Sequence, residues 1–284
     1  MQQQNTVCDF SSSDSWVILS PIEQSIKRKI EAVGTPLKDW DIQINYGIKT
    51  GFNDAFIIST EKRNEILANC KDEDERLRTT ELIRPILRGR DIKRYGYEWA
   101  NLWLIYIPWH FPFQFDDSIQ GASEKAEKAF IEQYPAVYSH LLQYKEPLSK
   151  RNKAETGIRY EWYAMQRWGA KYWEDFYKPK LFYADITQQL NFCLCKEVMF
   201  CNNTTYFIAT DEEKILEHLN SYLNSPIVDW YYRTLSVQLG EKAVRMFSIY
   251  VLEIPVPPLA LDTDVYEIFG LSPSEKAFIE SREH

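Results

Sequence analysis

Apolar positions near the start of the chain recur with the period of a helix. Residues 20–23, SPIE, supply an N-cap serine, a proline at the first helical position and a glutamate that completes a capping box. Ile22, Ile26 and Ile30 then fall on one face, and Gly34 marks the end. The pattern predicts a first helix that packs one face against a core.

Alternating and continuous apolar runs predict strands in the rest of the first half. Three segments have this character: residues 42–46, 55–60 and 101–109. A short polar helix is expected at about 61–70. The stretch INYGIKTGFNDAFII (44–58) is then a connection between two strands, in which Gly47 and Gly51 are expected to supply positive φ.

The second half shows the same two kinds of pattern. Strands are predicted at residues 180–186, 191–200, 204–209 and, as an edge strand, 250–258. Helices are predicted to begin at Pro135, at a capping box formed by Thr210 and Glu213, at Pro226 and at Pro273. The helix from Pro135 is expected to run to residue 151.

These elements predict an α+β fold in which helices pack on mixed β-sheets, arranged as two lobes. The expected divisions are a polar lead-in at 1–14, a first α/β lobe at 15–120, a helical connection at 121–152 and a second lobe with C-terminal helices at 153–284. Hydrophobic residues make up 45% of the chain and aromatic residues 15%, which is ample material for a core.

Composition also narrows the cellular setting. No apolar run approaches the roughly 20 residues of a membrane helix, and the start lacks the basic and apolar regions of a secretory signal. A cytoplasmic protein without a membrane partner is expected. Cys193 and Cys195 should share one face of a strand, and with Cys201 they are interpreted as buried small hydrophobes rather than a zinc site, because no CxxC pair accompanies them.

The net charge of −8 is unusual for a nucleic-acid binder, which normally carries a basic footprint. The basic residues are clustered, however. Residues 84–94, RPILRGRDIKR, hold five basic residues and one acid, and residues 145–180 are also rich in Lys and Arg. Either cluster alone is best interpreted as a solvated face, but two of them favour a local basic surface on an acidic chain.

The familiar catalytic motifs fail on spacing. In residues 44–58 the Lys-Thr pair precedes the second glycine, whereas a P-loop has GxxxxGK[ST] at the start of a helix. The chain has no GxGxxG dinucleotide turn, no (N/D/S)PP(Y/F) methyltransferase loop and no GxSxG elbow. EKAEK (124–128) lacks the upstream Pro-Asp of a metal-dependent nuclease. No catalytic centre is recognisable, which leaves open whether the chain contributes to an enzyme.

The segment RYEWYAMQRW (159–168) interleaves arginine and glutamine with aromatic residues. Arginine and glutamine can make paired hydrogen bonds to guanine and adenine edges in the major groove of DNA. In the alternative interpretation the aromatics are ordinary core and the charged residues ordinary surface, and the residues alone do not decide between the two.

The order of several segments is similar to that of one family. The segments are residues 15–40, 44–58, 82–95, 159–168, 178–186, 202–208, 222–232 and 254–258. In these segments the chain resembles the TaqI-like C-terminal specificity domain, the target-recognition module of adenine-specific DNA methyltransferases and of fused type II restriction–modification and phage-defence enzymes. The resemblance implies a cytoplasmic reader of double-stranded DNA in a bacterium or archaeon. A separate methyltransferase domain would bind S-adenosylmethionine and flip out the target adenine, with no cofactor in this chain.

Polar and basic residues within or near these motifs are the candidates for DNA contact. They are Lys49, Thr50, Asn53, Arg88, Arg90, Lys93, Arg94, Lys153, Arg159, Gln166, Arg167, Lys242 and Arg245. Residues common to enzymes with different targets suit phosphate contacts, so base readers are expected in the loops around 110–125 and 150–160. Two other classes stay open: a protein-interaction scaffold within a defence complex, and a carbohydrate-binding protein that stacks its aromatics on sugars.

Overall fold

Helices and strands are short and alternate along the chain. The computed structural model describes residues 19–151, 156–236, 238–240, 242–259 and 264–282. Its helices are α1 Pro21–Val33, α2 Asn53–Phe56, α3 Thr60–Ala68, α4 Glu73–Leu82, α5 Glu124–Gln133, α6 Pro135–Leu142, α7 Lys145–Lys150, α8 Glu213–Leu223, α9 Pro226–Leu235, α10 Ser248–Val251, α11 Val265–Ile268 and α12 Pro273–Glu280. Short 3₁₀ turns cover Leu37–Asp39, Gly89–Asp91 and Trp173–Tyr177.

The strands are mostly two to five residues long. They are β1 Thr35–Pro36, β2 Gln43–Tyr46, β3 Ile57–Ser59, β4 Ile83–Leu87, β5 Ile92–Lys93, β6 Gly96–Tyr97, β7 Leu102–Ile105, β8 Lys180–Ala184, β9 Ile186–Thr187, β10 Phe192–Cys195, β11 Phe200–Cys201, β12 Thr205–Ala209, β13 Gln238–Leu239, β14 Ala243–Arg245 and β15 Pro255–Val256. None of the helices in the described ranges combines the length and apolar character needed to span a membrane.

A four-stranded antiparallel sheet forms the centre, in the order β10-β8-β12-β2. Its side chains alternate between two cores. Phe182 and Phe207 point into one core with β4, β7 and the aromatic residues of the 159–177 region, whereas Tyr183 and Ile208 point into another with α1, α8 and α9. Because both faces are covered, β8, β10 and β12 are mostly apolar, whereas the edge strand β2 includes the polar residues Gln43 and Asn45.

A second four-stranded sheet has the order β11-β4-β7-β3, and here β11 runs parallel to β4 while the other pairs are antiparallel. Smaller sheets pair β13-β14-β9, β1-β15 and β5-β6. The predicted α+β fold with mixed sheets is therefore confirmed. Strands from both sides of residues 121–152 share the two large sheets, and the division at those residues stays a prediction.

The first and last predicted helices are confirmed, and so is the capping box predicted for the first. Ser20 and Glu23 bond reciprocally at the start of α1, and Ser272 and Glu275 do so at the start of α12. The box predicted at Thr210 is wrong, because its hydroxyl instead accepts a bond from the amide of Glu212, at 3.2 Å, one residue before α8. The helix itself is present, but it begins at Glu213, two residues later than the predicted cap implies.

Several boundaries differ from the predictions for identifiable reasons. The single helix expected from Pro135 to residue 151 is two helices, α6 and α7, because Pro147 has no N–H and would clash with the preceding turn of a continuous helix. The strand expected at 191–200 is broken into β10 and β11, which belong to different sheets.

Two predicted strands and one unpredicted helix also depart from the sequence pattern. The strand expected at 55–60 is shortened to β3, because α2 occupies its first part. The edge strand at 250–258 is reduced to β15 by helix α10. Helix α4 was not predicted, because the side it buries is partly polar: its Glu75 carboxylate accepts hydrogen bonds from the amides of Lys71 and Ala136, both at 2.8 Å.

Candidate nucleic-acid interface

A polar cleft of about 1180 Å³ opens where three distant parts of the chain meet. The turn at Asn53 and Asp54 forms one side, the basic stretch from Arg88 to Ile92 another, and residues 184–191 at the end of the central sheet a third. Asn202 and Thr204, between β11 and β12, complete the lining. We call this surface the polar cleft.

The glycine-rich turn before α2 places Asn53 in the polar cleft. Gly51 has φ of +79°, as predicted, but the prediction for Gly47 is wrong. Gly47 is required for close approach instead, since a Cβ there would lie 2.0 Å from the carbonyl oxygen of Asn202. Thr50 is 2% exposed, and its hydroxyl donates to Asn53 Oδ1 at 2.6 Å, so this side chain organises the turn.

The buried side chain of Arg151 binds the backbone of the same turn. Arg151 donates from Nη1 to the carbonyl oxygen of Thr50 at 2.6 Å and from Nη2 to those of Trp162 and Ala164 at 2.7 and 2.6 Å. Its Nε donates to the carbonyl of Leu148 at 3.1 Å. Burial lowers the pKa of Arg151 to about 10, and carbonyl dipoles rather than a carboxylate stabilise the cation. This side chain joins the turn to the 159–168 segment.

The basic stretch divides into paired and exposed cations. Arg88 forms a bidentate pair with Asp91, at 2.8 and 3.0 Å, which raises the pKa of the guanidinium and closes the 3₁₀ turn. Arg94 donates to the carbonyl of Asn224 at 2.7 Å. Lys93 is exposed and lies 3.6 Å from the Glu98 carboxylate. Arg90 is exposed, lines the polar cleft and has no salt bridge to the described residues.

The RYEWYAMQRW segment supplies one further exposed cation beside the turn. Arg167 and Lys49 exchange two backbone hydrogen bonds, at 2.8 and 3.1 Å, and Arg167 is exposed while Lys49 is half-buried. Gln166 packs over Gly51. Arg159 is exposed, and Lys153 lies outside the described residues.

The aromatic residues of this segment belong to the core. Tyr160, Tyr163 and Trp168 are buried, and Trp109 stacks on Tyr160 with ring centroids 4.8 Å apart. Trp162 is half-buried and donates to Glu127 at 2.7 Å. The alternative interpretation is therefore correct for the aromatics, whose role is packing.

The last two candidates lie on the hairpin of β13 and β14. Lys242 is exposed at the turn, and its carbonyl accepts a bond from Arg233 at 2.8 Å. Arg245 is half-buried, 3.7 Å from the Asp185 carboxylate, and its guanidinium lies over the ring of Phe247. Because β14 pairs with β9, this hairpin flanks the polar cleft.

Sequence reasoning missed the amide residues of the third side. Gln188, Gln189 and Asn191 line the polar cleft on the loop between β9 and β10. Their side chains carry no hydrogen bond to any described residue. The string QQLN has neither charge nor periodicity, so no sequence signal distinguishes it from an ordinary loop. The favoured loop at 110–125 lies outside the lining as described.

The cysteines pack as predicted. Cys193 and Cys195 lie in one core with Cys201. Burial raises the pKa of Cys193 to about 12 and that of Cys195 to about 11, so these thiols stay protonated at neutral pH. Across the described ranges, no cluster of three His, Cys, Asp or Glu side chains is placed to hold a metal ion.

The α+β fold places an open cleft lined by arginine, asparagine and glutamine side chains at the end of the central sheet. Residues 84–256 match the TaqI-like C-terminal specificity domain. This match covers more than half of the chain, and the chain therefore belongs to that family. No curated protein matches it by sequence.

Two solved structures illustrate the likeness. The type IIG restriction endonuclease BpuSI has a TM-score of 0.50 and 13% identity, covering 92% of this chain and 28% of its own. The type IIL restriction-modification enzyme MmeI, determined in complex with DNA, has a TM-score of 0.45 and 15% identity, covering 77% of this chain and 25% of its own. At these identities the likeness concerns the fold alone. The chain spans about a quarter of the length of each enzyme.

Proposed function

We propose that this chain is the sequence-specific DNA-recognition module of a restriction–modification adenine-specific DNA methyltransferase. The observation that carries the proposal is the polar cleft, which brings Asn53, Arg90 and three amides without a partner among the described residues to one surface in a member of the specificity-domain family. Arginine and side-chain amides are the groups that bind base edges and phosphates in DNA.

Phosphate contact is assigned to four exposed or half-buried cations, of which Arg90 lines the polar cleft and the other three lie on segments next to it. These rim cations are Lys49, Arg90, Arg167 and Lys242, whose side chains have no salt bridge to the described residues. Arg88, Arg94 and Thr50 are engaged within the protein and are assigned to the scaffold. With so few cations on a chain of net charge −8, we expect only a modest dependence of binding on salt.

Methyl transfer is assigned to a separate domain that binds S-adenosylmethionine, because this sequence has neither a glycine-rich cofactor turn nor an (N/D/S)PP(Y/F) loop. The duplex would lie between the two domains. The contribution of this chain is to bind and orient the duplex, so that the target adenine faces the other domain.

Binding to duplex DNA tests the proposal. We expect the full chain to shift a random duplex in an electrophoretic assay at low salt and to lose binding as salt rises. Arg90→Ala and Arg167→Ala should each weaken binding to all sequences alike and reduce the slope of log K against log salt by about one. Lys128 is an exposed lysine of α5 outside the polar cleft, and Lys128→Ala is the matched control.

Two results would count against this assignment. If the wild-type chain retains no duplex at low salt, the proposed function is wrong for the chain as it stands. If Arg90→Ala and Arg167→Ala bind like Lys128→Ala, the chain binds DNA through another surface.

A further inference from the structure

The loop between β9 and β10 has a backbone held by hydrogen bonds and three amide side chains that have no hydrogen-bond partner among the described residues. We infer that Gln188, Gln189 and Asn191 on this loop read base edges in the major groove, with Arg233 as the residue that positions them. This inference rests on the proposed function and assigns base reading to residues outside the loops that the sequence favoured.

The backbone of the loop is held at consecutive residues. Arg233 donates from Nη2 to the carbonyl of Gln188 at 2.6 Å, and the Thr187 hydroxyl donates to the carbonyl of Gln189 at 2.5 Å. The amide of Leu190 donates to Asp229 Oδ1 at 3.0 Å. Asp229 and Arg233 are an i,i+4 ion pair on α9, joined at 2.7 Å and mostly buried. A rigid helix thus fixes the loop from behind.

The next residues fix the far end of the loop equally well. Asn224, at the end of α8, accepts from the amide of Phe192 and donates to its carbonyl, both at 2.9 Å. Asn224 therefore uses its side-chain amide within the protein, as does Asn45, which donates to Asp175 at 2.8 Å. Gln188, Gln189 and Asn191 differ from both, because their amides face the polar cleft without a partner among the described residues.

The chemistry of the surroundings favours base edges over phosphates. The cleft lining near the loop balances Arg88 and Arg90 against Asp54 and Asp185, so the loop itself is not a strongly positive surface. A side-chain amide has a donor and an acceptor at fixed spacing and matches N6 and N7 of adenine. Ile186, 48% exposed and adjacent to the loop, is an apolar group suited to a thymine methyl. Fixing such groups before binding lowers the entropy cost of recognition.

Selection from a random duplex library by the full chain tests the inference. We expect the wild type to enrich a motif that contains adenines. Gln188→Ala, Gln189→Ala and Asn191→Ala should each relax one position, with a loss of discrimination of about 5- to 150-fold and no change in the salt slope. Gln189→Glu should shift the preference at its position towards cytosine, because a carboxylate accepts from cytosine N4. Gln143, an exposed glutamine at the end of α6, supplies the control Gln143→Ala.

Arg233 has its own readout. Arg233→Met should broaden the motif at all three positions together while random-duplex binding and its salt slope stay as in the wild type, and Arg233→Lys should restore part of the selectivity. Thermal unfolding of each variant confirms that it folds. A motif unchanged in Arg233→Met would overturn its positioning role.

The outcomes separate the inference from the proposed function. If the wild type binds no duplex, the proposed function fails and the inference with it. If the wild type enriches a motif that the three alanine variants reproduce, the inference alone is overturned. The inference is also wrong if the wild type binds duplexes but enriches no motif.

Discussion

Glu275 links the last helix to the first, and its removal should measurably destabilise the fold. Its carboxylate is 5% exposed and accepts hydrogen bonds from Ser25 Oγ, Lys29 Nζ and the amide of Ser272, each at 2.7 Å. Burial by itself would raise the pKa of Glu275, but the bonds from Lys29, Ser272 and Ser25 outweigh burial and lower the pKa to about 2.

The size and sign of the effect follow from this pKa. A lowering from 4.5 to about 2 corresponds to about 3 kcal/mol of stability. As pH falls, the unfolded state takes up the proton first, so this contribution is complete above pH 4.5 and is lost progressively as pH falls towards 2. Glutamine keeps the size of the side chain but not the charge. We therefore expect Glu275→Gln to lower the free energy of unfolding at pH 7 by about 2–3 kcal/mol.

Urea unfolding at several pH values between neutral pH and the lowest pH at which the protein folds is the assay. The difference between wild type and Glu275→Gln should be largest at neutral pH and shrink steadily below the unfolded pKa of glutamate. Glu280 lies exposed on the same helix, and Glu280→Gln should change stability by less than about 0.5 kcal/mol. A difference for Glu275→Gln that persists undiminished into acid would refute the reasoning.

Two further substitutions test the support of the polar cleft by the same unfolding measurement. Arg151→Met keeps the apolar stem but removes a donor from four backbone carbonyls, of which those of Thr50 and Leu148 keep a backbone amide, and it should cost about 2–4 kcal/mol, with Arg151→Lys between it and the wild type; a methionine variant as stable as the wild type would contradict this. Gly47→Ala brings a Cβ against the backbone of Asn202 and should cost about 1–3 kcal/mol, whereas Gly96→Ala, with open space around its Cβ, should be nearly neutral; equal effects of the two alanines would show that the close approach is not limiting.

Much of the fold could be predicted from local patterns. The starts of α1 and α12 could be predicted because Ser20 with Glu23, and Ser272 with Glu275, satisfy backbone donors within four residues, independently of the rest of the chain. The box predicted at Thr210 does not form, although the residue types at 210–213 suit one. The start of α8 is set instead by packing of its apolar side against the central sheet. Local propensity was overridden there by tertiary contacts.

Features that depend on pairing between distant residues could not be predicted. Gly47 looked like a turn glycine, and only the position of Asn202, far along the chain, shows that its lack of a side chain is what matters. The candidate site shows the same division. Asn53 and Arg90 lie in recognisable sequence motifs, and both line the polar cleft. Gln188 and Gln189 lie in no motif, and only the pairing of the sheets places them in the same cleft.

The pairing of β2 with β12 has a consequence for how the chain comes to be folded. β2 lies at the edge of the central sheet, and its neighbour β12 begins only at Thr205. A newly made chain must therefore keep β2 unpaired while the intervening residues are synthesised, and the loop that closes is long. A topology with such a high contact order folds slowly, and β2 exposes its backbone donors and acceptors to other chains until it is paired. Until β12 has been made, β2 can pair instead with a strand of another copy of the chain.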